Sequence, residues 1–112
     1  MEGDRRFRLL FERIPDPMLL LDVESGVFTD WNPAAERLLG WRSEDVIGRP
    51  LTEVIVPERY RAETEQALKS FLHTRQAPFV GQRMERLVTD HQGREIPVEL
   101  RVGLIDTPQV QL

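Results

Sequence analysis

An antiparallel α+β domain is the fold class that this 112-residue sequence predicts, and three observations predict it. The elements run helix, two strands, short helices, longer helix, two strands, without the alternation that builds a parallel sheet. Two pairs of extended runs are each joined by a Gly-bearing turn, as hairpins are. In the last run Ile96, Val98, Leu100, Val102 and Leu104 alternate with Glu95, Pro97, Glu99, Arg101 and Gly103, so one face of the sheet is buried and the other wet.

The first element is "RRFRLLFERI". Phe7, Leu10, Phe11 and Ile14 fall at the i, i+3, i+4, i+7 spacing of one helical face, with arginines on the other, and Pro15 and Pro17 end the helix. "MLLLD" and "VFTDW" follow as two short strands around "VESG", where Gly26 supplies the turn. Asn32 is then an N-cap and Pro33 a first helical residue, with Ala35, Leu38 and Leu39 as the buried stripe and Gly40 as the stop. Ser43 is expected to cap a second short helix that carries Glu44 and Asp45 in its first turn and ends at Gly48. A longer helix opens at Pro57 and runs to about Leu72, with Tyr60, Thr64, Ala67, Leu68, Phe71 and Leu72 along one face. "GQRMERLVTDHQGREIPVELRVGLI" closes the order as a long hairpin around Asp90-His91-Gln92-Gly93.

Composition removes whole function classes. The length suits one domain, and a net charge of −4 with both signs interspersed lacks the basic stripe that nucleic acid requires. Proteins and small molecules remain as partners. There is no cysteine, which excludes disulfides, thiolate metal sites and thiol nucleophiles. The longest fully apolar run, Met18 to Leu21, is too short for a bilayer, and no signal peptide opens the chain, so a soluble, cytoplasmic domain is expected.

The stretches "SGVFTDWNPAAERLLGW", "SEDVIGRPL" and "DHQGREIPVELRV", in that order and spacing, resemble the PAS sensory domains from about Phe7 to Ile105. Gly26, Asn32, Ala34 and Gly40 match the Gly-x5-Asn-x-Ala-x5-Gly stretch of that family. The resemblance implies an antiparallel five-stranded sheet flanked by short helices and one longer helix, the short helices walling a cavity. It divides the chain into an N-terminal amphipathic helix, residues 1–14, and a PAS domain, residues 15–112. The fifth strand would begin at "QVQL", Gln109 to Leu112, so an excised domain with a truncated closing strand and an exposed sheet edge is expected. It also implies signal reception, usually within histidine kinases, cyclic-dinucleotide enzymes or transcription regulators, with an effector domain elsewhere.

Cofactors divide by residue. In oxygen-sensing haem members a histidine on the long helix ligates iron in a stretch resembling "PERYRAETEQ", and the matching residue here is Thr64. Haem is therefore disfavoured, and His73, near the end of the same helix, would have to reach back. Photochemistry through a flavin–cysteine bond is excluded by composition, though non-covalent flavin binding is not. His73 and His91 are without companion ligands in any metal-binding pattern and read as exposed polar residues. No catalytic constellation, phosphate loop or nucleophile elbow is present, so catalysis would lie outside this chain.

A ligand cavity is expected between Tyr60, Thr64 and Leu68 on the helix and Met84, Ile96, Val98 and Leu100 on the sheet. Met84, Arg86 and Val88 share one parity of the first arm, and Glu85, Leu87 and Thr89 the other, so the pattern leaves the inward set open. If Arg86 faces inward it is a cation suited to a ligand carboxylate; otherwise it bonds a surface acid. Trp31 and Trp41 are core or rim packing, or a stacking surface for a ligand. Three functions follow: a small-molecule sensor, a ligand-free module for dimerisation and relay, or an enzyme fragment. Phe7, Leu10, Phe11 and Ile14 are expected at the centre of a homodimer, on a helix that need not fold back onto its own sheet.

Overall fold

The structure, a computed structural model, describes residues 2–75 and 80–103, with side chains for residues 6, 8–75 and 80–103. Strand β1 (Leu19–Asp22) pairs antiparallel with β2 (Val27–Trp31). The turn between them closes because Gly26, at φ 73°, bonds back to the Asp22 carbonyl at 2.7 Å, while Ser25 Oγ donates to the Asp22 carboxylate at 2.6 Å. The register slips at Leu20/Leu21, leaving Thr29 as the extra residue of a bulge. The outer edge of β2 is covered by the chain itself: Phe28 N–H donates to Arg49 O at 3.0 Å and Leu51 N–H to Gly26 O at 2.8 Å.

Helix α2 (Pro33–Leu39) starts as its sequence predicts, with Asn32 Oδ1 accepting from Ala35 N–H, and stops at Gly40 in the left-handed conformation, φ 81°. Its buried residues are Ala34, Ala35 and Leu39; Leu38 is 42% exposed, a departure from the expected stripe. The two alanines let the helix approach its neighbours on their side, which leaves Leu38 at the rim. Ser43 is the first residue of α3 (Ser43–Val46) rather than its cap: Arg42 holds the cap position without a side-chain bond. The orphan N–H of Ser43 donates instead to Glu36 of α2, at 2.7 Å, so a carboxylate from the preceding helix serves as the cap. A one-turn helix, α4 (Leu51–Val54), follows; four residues are too few to leave a periodic signal. After a 3₁₀ turn, Glu58–Tyr60, helix α5 spans Arg61–Thr74.

Strands β3 (Arg83–Thr89) and β4 (Glu95–Arg101) form the long hairpin. Two bonds stitch it to the helical strap: Thr89 N–H to Ile55 O at 2.8 Å and His91 N–H to Leu39 O at 2.9 Å. The core lies between them and contains Phe28, Trp31, Ala35, Leu39, Val46, Val54, Ile55 and Val88. Phe28 meets Trp31 edge to face, with centroids 5.2 Å apart, and Trp31 Nε1 donates to Trp41 O at 3.1 Å. Among the described residues the strands make two two-stranded sheets. The fifth strand expected at Gln109–Leu112 lies outside them.

Helix α1 (Glu2–Arg13) meets its own domain at its last turn, the alternative to a helix free of its own sheet. Phe11 is 3% exposed, whereas Leu10 is 61% exposed and Ile14 half-buried. Of the expected interface stripe, Phe11 is thus covered by its own chain and Leu10 is not, and the side chain of Phe7 lies outside the described residues.

Candidate functional site

The hairpin register resolves which side of β3 faces inward. Met84 lies opposite Leu100, Arg86 opposite Val98 and Val88 opposite Ile96, and directly paired residues share a face. Val88 is buried and Ile96 and Val98 pack against the core, so this is the inner face. Leu87, of the other parity, is 36% exposed. On the same face Met84 and Leu100 are half-buried and Arg86 is exposed.

Arg86 therefore stands on the inner, apolar face as a cation. Its Nη1 donates to the Glu85 carbonyl at 2.8 Å and its Nη2 lies 3.5 Å from Met84 Sδ, both partners on its own strand. None of the ion pairs among the described residues includes it. The surface acid offered by the other reading of Arg86 is not among these contacts.

The helix side of the expected cavity is distributed differently. Tyr60 is 39% exposed, with the Arg59 guanidinium 4.7 Å from its ring centroid. Thr64 Oγ1 donates back to Tyr60 O at 2.9 Å. Leu68 sits over the β1–β2 turn, 3.8 Å from where a Cβ on Gly26 would be, an ordinary packing distance. It lines an open cleft of about 390 Å³ with Val23, Pro50, Thr52, Lys69 and Leu72. Leu100, with Arg83, Glu99 and Arg101, borders a separate, shallow concavity of about 280 Å³. The structure thus brings Met84, Arg86, Ile96, Val98 and Leu100 onto one surface, while Leu68 belongs to a different one. A bidentate pair of Arg59 with Glu95, 2.7 Å at its Nη2 arm, ties the 3₁₀ turn ahead of α5 to the start of β4. It holds the Glu95 carboxyl below the usual carboxylate range.

These side chains do not fit haem at the position the family resemblance indicates. Thr64 offers a hydroxyl already turned onto its own helix; His73 is exposed in the last turn of α5, and His91 packs its ring on Gly40. Among the described residues no group of three His, Asp or Glu side chains converges to hold a metal.

Sequence reasoning placed Asp90 in a turn and Asn32 at a helix cap but missed the burial and wider bonds by which both set the frame. Asp90 is 4% exposed and accepts from Gln92 N–H at 2.9 Å, Arg94 N–H at 2.8 Å and Arg94 Nε at 2.9 Å. Burial pushes its carboxyl up, but the Arg94 and Gln92 donors outweigh this and hold it below its ordinary value. Asn32 is fully buried and bonds well beyond the helix it caps. In the sequence, an Asp three residues before a turn glycine and an Asn before Pro were the available signals, and each specified only its local turn or cap.

A scan against family models matches the PAS fold over residues 5–111. Among solved structures, the PAS domain of an HTR-like protein from Haloarcula marismortui superposes with a TM-score of 0.61 at 26% identity, covering 88% of this chain and 80% of that one. A domain of the sensory box sensor histidine kinase/response regulator from Geobacter sulfurreducens gives a TM-score of 0.63 at 22% identity, covering 87% and 79%, a likeness of fold alone. By sequence, 86% of the chain is similar to an uncharacterized protein of Azorhizobium caulinodans at 32% identity, and 89% to the sensor protein FixL of Bradyrhizobium diazoefficiens at 28%. It spans 13% and 19% of the length of those relatives. The fold, the two hairpins and the helical strap are those of a sensory module, and the chain belongs to the PAS family.

Proposed function

We propose that this chain is the cytoplasmic sensory module of a longer signal-transduction protein, such as a histidine kinase or a cyclic-dinucleotide enzyme, and that it responds to a small carboxylate held against the inner face of β3–β4. The observation that carries the reading is Arg86, a guanidinium on an apolar face, opposite Val98 and beside Met84, with partners only from its own strand among the described residues. An apolar surface with one well-placed charge is how small-molecule sites orient an anion. Likeness to FixL, a sensor protein by name, supports signal reception. Catalysis is assigned to an effector domain, and a second copy of the chain is the partner through α1. No helix among the described residues is long and apolar enough to cross a membrane.

Thermal melts with a panel of small mono- and dicarboxylates, each paired with its neutral amide, test this. At least one carboxylate should raise the melting temperature, its amide should not, and Arg86→Gln should abolish the rise. A panel without effect, or a rise that survives Arg86→Gln, would defeat the proposal. The competing reading is a ligand-free relay module, favoured by the packing of Val88, Ile96 and Val98 into the core.

A further inference from the structure

We propose that the Asn32 carboxamide is a latch for the N-terminal helix: its oxygen holds the domain together, and its nitrogen decides whether α1 lies docked or released. The side chain is fully buried and lies where four segments meet. Oδ1 accepts from Met18 N–H at 2.9 Å and from Ala35 N–H at 3.0 Å, fixing the entry to β1 and the start of α2. Nδ2 donates to Phe11 O at 3.3 Å and to Asp16 O at 2.9 Å, one in the last turn of α1 and the other in the linker after it. The two ends of one amide thus serve separate clients.

The linker makes the nitrogen end decisive. Pro15 and Pro17 carry no N–H, so this stretch is poor in donors of its own, while the carbonyls of a last helical turn have no partners within the helix. Asn32 supplies the donors from the core. Among the described side chains of α1, that of Phe11 is buried, and Arg8 lies 3.6 Å from Asp30 with its own side chain 64% exposed, a pair screened by water. Leu9 and Leu10 are 47% and 61% exposed and add little. A helix whose last turn takes its donor from outside the helix can open without the core opening. Release would place Phe11 beside Leu10 and Ile14 on a single free stripe, so the docked helix withholds an apolar face that the released helix offers. This device is independent of any ligand.

Native-state hydrogen exchange on the parent chain, Asn32→Asp and Asn32→Ser tests the latch. Aspartate keeps the oxygen that accepts from Met18 and Ala35 but turns a second oxygen towards two carbonyls. Serine keeps a capping hydroxyl without charge or amide. In both, amides of the last turn of α1 should lose protection roughly tenfold or more, while those of α2 keep theirs. Should the aspartate protein fail to fold, the serine protein decides. In the parent, α1 should exchange through an opening that urea does not promote, unlike the core. Equal loss of protection in α1 and α2, unchanged α1 protection in a folded variant, or parental α1 amides that exchange only with the core would each overturn the proposal.

Discussion

Gly40 carries two constraints at once. Its φ of 81° is one that side-chain-bearing residues rarely adopt, and a Cβ there would lie 2.0 Å from His91 Nδ1. The contact joins the end of α2 to the β3–β4 turn, so one residue sets both a helix stop and the seat of the second hairpin. Gly40→Ala should cost about 2 kcal/mol or more in urea melts, and His91→Ala in the same chain should recover part of that loss. A parental midpoint for Gly40→Ala would contradict this packing. Asp90 acts in the same turn through charge. Because its folded carboxyl is held below its unfolded value, its contribution is present above the ordinary carboxylate range, about pH 4, and is lost as pH falls through the lower folded value. The stability gap between the parent and Asp90→Asn should therefore be widest near neutrality and should narrow below about pH 4. A gap that does not change with pH would rule out the charged contacts as its cause.

Elements were legible where one residue type has one job. Asn32-Pro33 and Gly40 bracket α2 as read, both hairpins lie where their turn glycines place them, and alternation in β4 named its inner residues. What the sequence hid depends on contacts between elements. Ser43 has the chemistry of a cap, yet Glu36 reaches α3 first; Leu68 fits the stripe of α5, yet it packs over the β1–β2 turn rather than the long hairpin. The facing of β3 was undecidable from parity and became plain only from its register against β4. Glu36→Ala should lower stability by about 1 kcal/mol, the usual worth of a helix cap, and chemical denaturation will measure it. If no effect appears, the Ser43 N–H is satisfied by water. Thr64→Phe probes whether the space expected beside α5 is open or filled. Thr64 is half-buried on α5, so an occupiable face tolerates the larger ring within about 1 kcal/mol. A filled interior would lose about 1–3 kcal/mol to overpacking.

At the scale of the whole molecule, the PAS architecture holds its hairpins together through the strap, through the Arg59–Glu95 pair and through the bonds of Thr89 and His91. In the proposed function, association between copies runs through α1. Since Phe11 is committed to its own chain, Leu10, at 61% exposed, is the position that probes a dimer without disturbing the fold. The parent should sediment as a dimer at micromolar concentration and Leu10→Glu as a folded monomer; a monomeric parent would remove the dimer from the account. The central claim, that the inner face of β3–β4 receives a carboxylate at Arg86, is tested most directly by titrating isotope-labelled protein with the carboxylate that gives the largest thermal shift. Saturable shifts are expected at the Arg86 side-chain Nε–H and at the amides of residues 84–88 and 96–100, and they should vanish in Arg86→Gln. Shifts confined to other surfaces, or the same shifts in Arg86→Gln, would contradict it.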